Sequence, residues 1–409
     1  MERRTFLKAS VAAAGLAAGA TLFPRRTPAA DTIKIGTLID TSGPLSVFGA
    51  NKLKCLQFGV EEINAAGGLL GRKIELVNRD TQSNNQLVGE YARDLALGGK
   101  VDVVFGCTTS SAREIARPIL NRANVLYFYN TNYEGGVCQR TTICTSSTPA
   151  QMVSPLIPRL IKEYGKKIYV LAADYNYGHN SDKWVKAIAK ENGGEVIGSE
   201  FFPLDASTFG PTISRIQAAK PDIIHTVFVG PAHGAFWGQW AAAGMVGKIP
   251  ISSQTFGLAG EHLRIPPEVS EGIYVCLNYF EEIETPANKA FLTNFRAKFG
   301  TDYGYISELA MAEYQGVLLW AEAVKKANST KVDPILKTIK QVVEVVGPSG
   351  QIKLDPATNH CTLTMYIARM KGGKFNVEGT FKNVAPSNPG GKCDLIKSPN
   401  TNQQFEPEL

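Results

Sequence analysis

The sequence predicts an α/β protein of two doubly wound parallel-sheet lobes joined by a multi-strand hinge, and three observations carry that expectation. Short β-branched runs alternate with helical stretches from residue 33 to residue 253, the pattern of parallel strands with crossover helices on both faces. At 409 residues the chain exceeds one ordinary core and suits two. Two successive strands end in clusters of hydroxyl and amide side chains, and open α/β sheets hold their ligands outside such strand ends.

Residues 33–39 form a strand and residues 40–44 a turn. Leu56, Val60, Ile63 and Asn64 then recur at helical spacing until Ala65-Ala66-Gly67-Gly68 stops the helix. Residues 73–78 make the next strand and 86–97 the next helix. Val101, Val103, Val104 and Phe105 form a buried parallel strand ending at Gly106. Thr108, Thr109, Ser110 and Ser111 follow, at the entrance to a helix starting near Ala112, so their hydroxyls and amides surround a helix N-terminus. The apolar run 125–129 ends in Asn130, Thr131 and Asn132, a second polar strand end. Together they predict a binding site that can hold a carboxylate or a carbonyl oxygen.

The alternation continues with helices over 152–164, 181–192, 209–219 and 232–243, and strands over 168–172, 195–202, 222–228 and 250–253. After residues 272–277 the pattern changes: helices dominate 287–343 before a β-rich tail over 351–381. The chain therefore returns to its first lobe for helices and then to its second. Lobe I takes residues 31–148 and 278–345, and lobe II residues 149–277 and 346–383. Residues 384–409, rich in Pro, Asn and Gly, read as a loose surface extension.

The formal charge is +6, but residues 1–30 hold Arg3, Arg4, Lys8, Arg25 and Arg26 against Glu2 alone. The remainder, 38 basic against 36 acidic side chains, gives no electrostatic support to a nucleic-acid partner. No apolar run beyond residue 30 reaches membrane-spanning length, so the protein is not expected to be membrane-embedded. Arg3-Arg4-Thr5-Phe6-Leu7-Lys8, the apolar run 9–23 and the small residues Thr27-Pro28-Ala29-Ala30 resemble a twin-arginine signal peptide over residues 1–30. Cleavage near Ala29 or Ala30 and delivery to an oxidising periplasm follow.

An odd count of seven cysteines leaves at least one thiol unpaired. Cys138 and Cys144 bracket a short loop and are the expected disulfide, with Cys361 and Cys393 a second candidate pair. Cys55, Cys107 and Cys276 sit in apolar contexts and read as buried small hydrophobes. No Gly-x-Ser-x-Gly, His-Glu-x-x-His or Gly-x-x-x-x-Gly-Lys motif is present, and His179, His225, His233, His262 and His360 show no metal-ligand spacing. No catalytic residue, metal or cofactor is therefore expected. Phe48, Phe228 and Trp237 are candidates for an apolar pocket wall, and Arg113, Glu114 and Arg117 for a solvated helix face.

Residues 36–80, with Ser42-Gly43-Pro44-Leu45, Val60-Glu61-Glu62-Ile63-Asn64-Ala65-Ala66-Gly67-Gly68 and Gly71-Arg72-Lys73-Ile74-Glu75-Leu76-Val77, resemble the opening of the type I periplasmic solute-binding proteins. These are the leucine/isoleucine/valine-binding family, the capture subunits of ABC importers, and the resemblance covers roughly residues 31–380. It implies a non-enzymatic protein that closes two lobes on a small-molecule solute and presents it to ABC transporter permease subunits. A ligand sensor for a receptor or regulator is the alternative, and a twin-arginine-exported enzyme a third. Tyr133-Glu134-Gly135, Pro149-Ala150-Gln151 and Asp174-Tyr175-Asn176-Tyr177 look most like the branch that binds urea and short-chain amides. The resemblance implies ligand contacts from Thr108, Thr109, Ser110, Tyr129 and Thr131 on the first lobe and from Tyr175 and Tyr177 on the second. Amino-acid-binding relatives place a carboxylate near the strand end that here reads Ser252-Ser253-Gln254-Thr255-Phe256-Gly257, which has no acid until Glu261. An ammonium buried without a counter-charge is costly, so this departure favours an amide-like or carboxylate-only ligand, with Gln254 a partial substitute. In a second departure, Thr108 stands where amide-binding relatives tend to carry Tyr.

Overall fold

The computed structural model describes residues 32–341 and 343–407; the signal segment and its cleavage point lie outside the described residues. The first part of the chain follows β1 (Ile33–Ile39), α1 (Ser46–Ala65), β2 (Ile74–Asp80), α2 (Asn85–Arg93), β3 (Val103–Gly106), α3 (Ser110–Arg122) and β4 (Leu126–Tyr129). The helix expected to run to residue 97 instead passes into a π turn at Asp94–Gly98. Strands β5 (Val137–Gln139) and β6 (Thr142–Cys144) precede α4 (Pro149–Val153) and α5 (Ile157–Tyr164). Those two helices replace the single one expected over 152–164, because Pro155 removes a donor between them and Pro158 suits the first turn of a new helix.

Next come β7 (Lys167–Ala173), α6 (Asn176–Glu191), β8 (Glu195–Phe202), α7 (Gly210–Ala219), β9 (Ile223–Val227), α8 (Ala232–Ala242) and β10 (Ile251–Ser253). The remainder is α9 (Pro267–Ser270), β11 (Tyr274–Leu277), α10 (Pro286–Phe299), α11 (Glu308–Ala327) and α12 (Val332–Ile339), then β12 (Glu344–Gly347), β13 (Gly350–Asp355), β14 (His360–Lys371), β15 (Lys374–Val384) and β16 (Asn402–Gln404).

The main sheet runs β2-β1-β3-β4-β6 and then β14-β11-β10-β9-β7-β8. Strands β2, β1, β3, β4 and β6 are parallel, as are β8, β7, β9, β10 and β11, so the two half-sheets repeat one strand order. They meet only where Cys144 of β6 pairs with His360 of β14, which lies antiparallel to β11. In the first half, alternation sends Ile35, Val103, Phe105 and Phe128 into the core shared with α1 and α11. Leu38, Val104, Tyr127 and Tyr129 face the core shared with α2 and α3. Helices therefore cover both faces, as continuous apolar strands require.

The same close approach recurs in the two halves. A Cβ on Gly49 in the first turn of α1 would lie 1.8 Å from the Asp40 carbonyl oxygen, and one on Gly178 in α6 1.9 Å from that of Ala173. Glycine at these positions lets each helix begin directly against the carboxyl end of the strand before it.

Two of the segments that pass between the halves meet at one buried carboxylate. Glu308, at the start of α11, accepts from Ser147 Oγ at 2.5 Å beyond β6 and from the Asn278 backbone N–H at 3.4 Å beyond β11. Burial lifts this carboxyl to about 7 against the pull of those donors.

The disulfide differs from expectation. Cys138 pairs with Cys393, Cα to Cα 5.6 Å, and Cys144 and Cys361 are both free and buried. Cys138 on β5 packs with Leu395 and Phe405 of the C-terminal segment, whereas Cys144 on β6 points into the core beside α3. The C-terminal residues are correspondingly not loose: β16 pairs antiparallel with β5, and Leu395 is buried.

Two outcomes follow from these features. The native state binds a proton at Glu308 more tightly than the unfolded chain, whose carboxyl titrates near 4.5, so its stabilising contribution is complete below that value and is lost as pH rises to about 7. Urea unfolding should show wild type losing about 2 kcal/mol between pH 5 and pH 8 that Glu308→Gln retains. Replacing Cys138 and Cys393 together by alanine should cost about 2–4 kcal/mol in the same assay at fixed pH, because the open chain regains loop entropy.

Candidate functional site

The carboxyl ends of β3, β4, β7, β9 and β10 converge on one narrow cavity of about 30 Å³. That is room for about one or two waters with the walls as they stand. Wider grooves on the outer surface, such as the one bordered by Glu282, Thr285, Tyr366 and Lys382, lie away from these strand ends.

From the β3 end come Thr108 and Ser110, and from the β4 end Thr131 and Asn132. Opposite them stand Tyr175 and Tyr177 beyond β7, Phe228 and Val229 beyond β9, and Thr255 beyond β10. Phe48 of α1, His233 of α8 and Leu309 of α11, each from a first turn, and Leu258 complete the wall. Several helix N-termini thus face the cavity, giving it a partly positive field that suits an electron-rich group. No charged side chain lines it.

Three polar atoms in this wall are buried without a hydrogen-bond partner among the described residues: Thr108 Oγ1, Tyr177 OH and His233 Nδ1. Such atoms cost free energy unless something meets them, and three of them belong to residues of this one wall. Burial holds the Tyr177 phenol well above its ordinary range, so it remains a donor, and keeps His233 neutral.

Other polar groups in the wall are already engaged. Thr131 Oγ1 donates to the Cys107 carbonyl at 2.9 Å and accepts from the buried Lys52 ammonium at 2.6 Å. Ser110 Oγ donates to the Glu134 carboxylate. Glu134 also accepts from Arg113 Nη2 at 2.7 Å, Asn176 Nδ2 at 2.9 Å and Gln404 Nε2 at 2.6 Å. The Trp184 indole N–H reaches its backbone carbonyl at 3.2 Å. One buried carboxylate therefore ties α3 of the first half, α6 of the second and the C-terminal strand together.

Of the residues expected from sequence, Phe48, Thr108, Ser110, Thr131, Tyr175 and Tyr177 line the cavity, as does Phe228. Thr109, Tyr129 and Gln254 do not. The Thr109 hydroxyl caps α3, accepting from the Ala112 N–H at 3.2 Å. Strand alternation turns Tyr129 to the far face of the sheet, 5.6 Å from Tyr133 and beneath the Arg113 guanidinium. The Gln254 side chain instead bonds His225 Nε2 at 3.0 Å, and burial pushes that imidazole down to about 3. Trp237 packs on Phe236 and Phe256, away from the wall. Arg113 is not on a solvated face: it is fully buried beside Glu134. His233, Val229, Leu258 and Leu309 were not foreseen as site residues; the signal that could have found His233 and Val229 is their place within a few residues of the β9 end.

These partnerships separate the two threonines. Thr131→Ala leaves the Lys52 ammonium and the Cys107 carbonyl each short of a partner, and urea unfolding should report a loss of about 1–3 kcal/mol. Thr108→Val, which breaks no bond, should stay within about 0.5 kcal/mol of wild type.

Comparison with known proteins agrees with this architecture. The family model described as periplasmic binding protein matches residues 32–374. The chain is 25% identical over 379 residues to Leu/Ile/Val-binding protein homolog 7 of Brucella suis, covering 87% of this chain and 93% of that one. Its fold resembles a solute binding protein of an ABC transporter from Rhodopseudomonas palustris in complex with 3,4-dihydroxybenzoic acid, with a TM-score of 0.78 and 22% identity over 88% of this chain and 99% of the other. It also resembles the branched-chain amino acid transporter substrate binding protein LivJ from Streptococcus pneumoniae in complex with isoleucine, with a TM-score of 0.73 and 24% identity over 86% and 99% of the two chains. The repeated half-sheets, the cavity at their strand ends and the family match over residues 32–374 together establish that the chain belongs to the periplasmic binding protein family.

Proposed function

We propose that this chain is the extracytoplasmic capture subunit of an ABC importer, closing two lobes on a small solute that has an apolar frame and hydrogen-bonding ends. Thr108 Oγ1, Tyr177 OH and His233 Nδ1, unpartnered beside Phe48, Phe228 and Leu309 in a wall without charged side chains, carry the reading. Lobe I comprises residues 31–148 and 278–345 and lobe II residues 149–277 and 346–383; the repeated strand order supports that division. Ligand that touches both lobes favours the closed arrangement by its differential affinity.

The lack of a lining carboxylate weighs against an α-amino acid, whose ammonium would be buried unpaired. The apolar side favours a ring or short chain, and the related Rhodopseudomonas palustris proteins carrying dihydroxybenzoic acid, 4-hydroxybenzoate or benzoate point the same way. Urea or a short-chain amide is the second reading, supported by the wholly neutral lining and by Asn132 and Thr255 within it. Twin-arginine export to the periplasm is supported by Arg3-Arg4 and by the Cys138–Cys393 disulfide, a bond that persists in oxidising compartments.

Thermal unfolding of the mature protein with urea, acetamide, benzamide, benzoate, 4-hydroxybenzoate and leucine tests the reading. A ring-bearing neutral or carboxylate solute should raise the midpoint by several degrees at saturating concentration, and leucine should not. A panel that leaves the midpoint unmoved throughout would refute solute capture at this cavity.

A further inference from the structure

His233 is an acceptor waiting for a donor. Its Nε2 lies 3.0 Å from the Phe228 carbonyl oxygen and 3.1 Å from Thr255 Oγ1. A carbonyl oxygen only accepts, so Nε2 carries the ring's hydrogen and Nδ1 presents a bare lone pair. The ring is fully buried, and burial opposes a second proton. Nδ1 has no hydrogen-bond partner among the described residues, and the aromatic rings beside it are Phe228 at 5.8 Å and Phe256 at 6.5 Å, with the charges of Glu261 and Arg264 also acting on the imidazole.

The other two unpartnered groups differ in kind. The Tyr177 phenol donates, and Thr108 Oγ1 can do either. Resting on the capture reading above, we infer that His233 sets ligand specificity by demanding an O–H or N–H donor on the apolar frame of the solute. A site built to receive such a donor rejects an isostere that lacks it, because the buried lone pair is then left unpaired. Thr255 and the Phe228 carbonyl hold Nε2 and so leave Nδ1 as the nitrogen open to a donor.

Isothermal titration of the mature protein with 4-hydroxybenzoate and with 4-fluorobenzoate, nearly its isostere but unable to donate, tests the assignment. Wild type should bind the hydroxyl compound at least tenfold more tightly. His233→Gln keeps an amide donor for the Phe228 carbonyl but has no atom in the place of Nδ1, and it should bring the two affinities within about threefold. Equal affinities in wild type, or a preference that survives in His233→Gln, overturns the assignment. Should His233→Gln fail to fold, equal affinities in wild type would alone still overturn the assignment. If neither benzoate binds while urea or leucine does, the apolar-framed solute on which the assignment rests is wrong and the assignment falls, while solute capture stands; if nothing in the panel binds, both fail.

Discussion

Beneath the cavity lies a fully buried ion pair on which its floor depends. Lys52 of α1 points its ammonium at three acceptors, the Cys107 carbonyl at 3.0 Å, Thr131 Oγ1 at 2.6 Å and Glu313 Oε1 at 3.1 Å. The first two are hydrogen bonds and the third an ion-pair contact that supplies the counter-charge. Burial pushes the Glu313 carboxyl up, opposed by Lys52, and its other oxygen accepts from Asn130 Nδ2 at 2.7 Å. Asn130 in turn accepts from the Thr145 hydroxyl. Moving the β3 or β4 loop would strand a charge in the interior, a cost far above that of shifting an ordinary loop. Gly316 fits this arrangement, since a Cβ there would lie 2.6 Å from Asn130 Oδ1.

A rigid floor on one half and a second buried carboxylate at the boundary divide the work. Lys52 and Glu313 join α1 and α11 to the ends of β3 and β4, all within the first half. Glu134 reaches outward, to Asn176 and Trp184 on α6. Ser110 belongs to both environments, lining the cavity and bonding Glu134. Any atom pressing on Ser110 from the cavity is therefore one bond from the contact between the halves.

Much of the architecture was legible because it is written in local pattern: strand runs, helix stops, and polar residues where strands end. The same locality explains what stayed hidden. Cys138 and Cys393 are 255 residues apart, and the short spacing to Cys144 carried no information about which partner the folded chain brings near. Tyr129 was assigned to the correct strand end but to the wrong face, because a residue's side of the sheet is set by register and not by its neighbours in sequence. Lys52 reads as an ordinary helical lysine, and only the return of α11 to the first half reveals its counter-charge. His233 sits in an Ala- and Gly-rich helix start with no motif to mark it.

The C-terminal strand has a consequence for how the molecule is made. Gln404 is one of the donors to Glu134, and Cys393 closes on a residue translated far earlier. During vectorial synthesis the Glu134 carboxylate stays incompletely paired until residue 404 has been added. A nascent chain stalled short of residue 393 thus lacks both the disulfide and a donor to Glu134, and a cut there would disturb residues laid down far earlier.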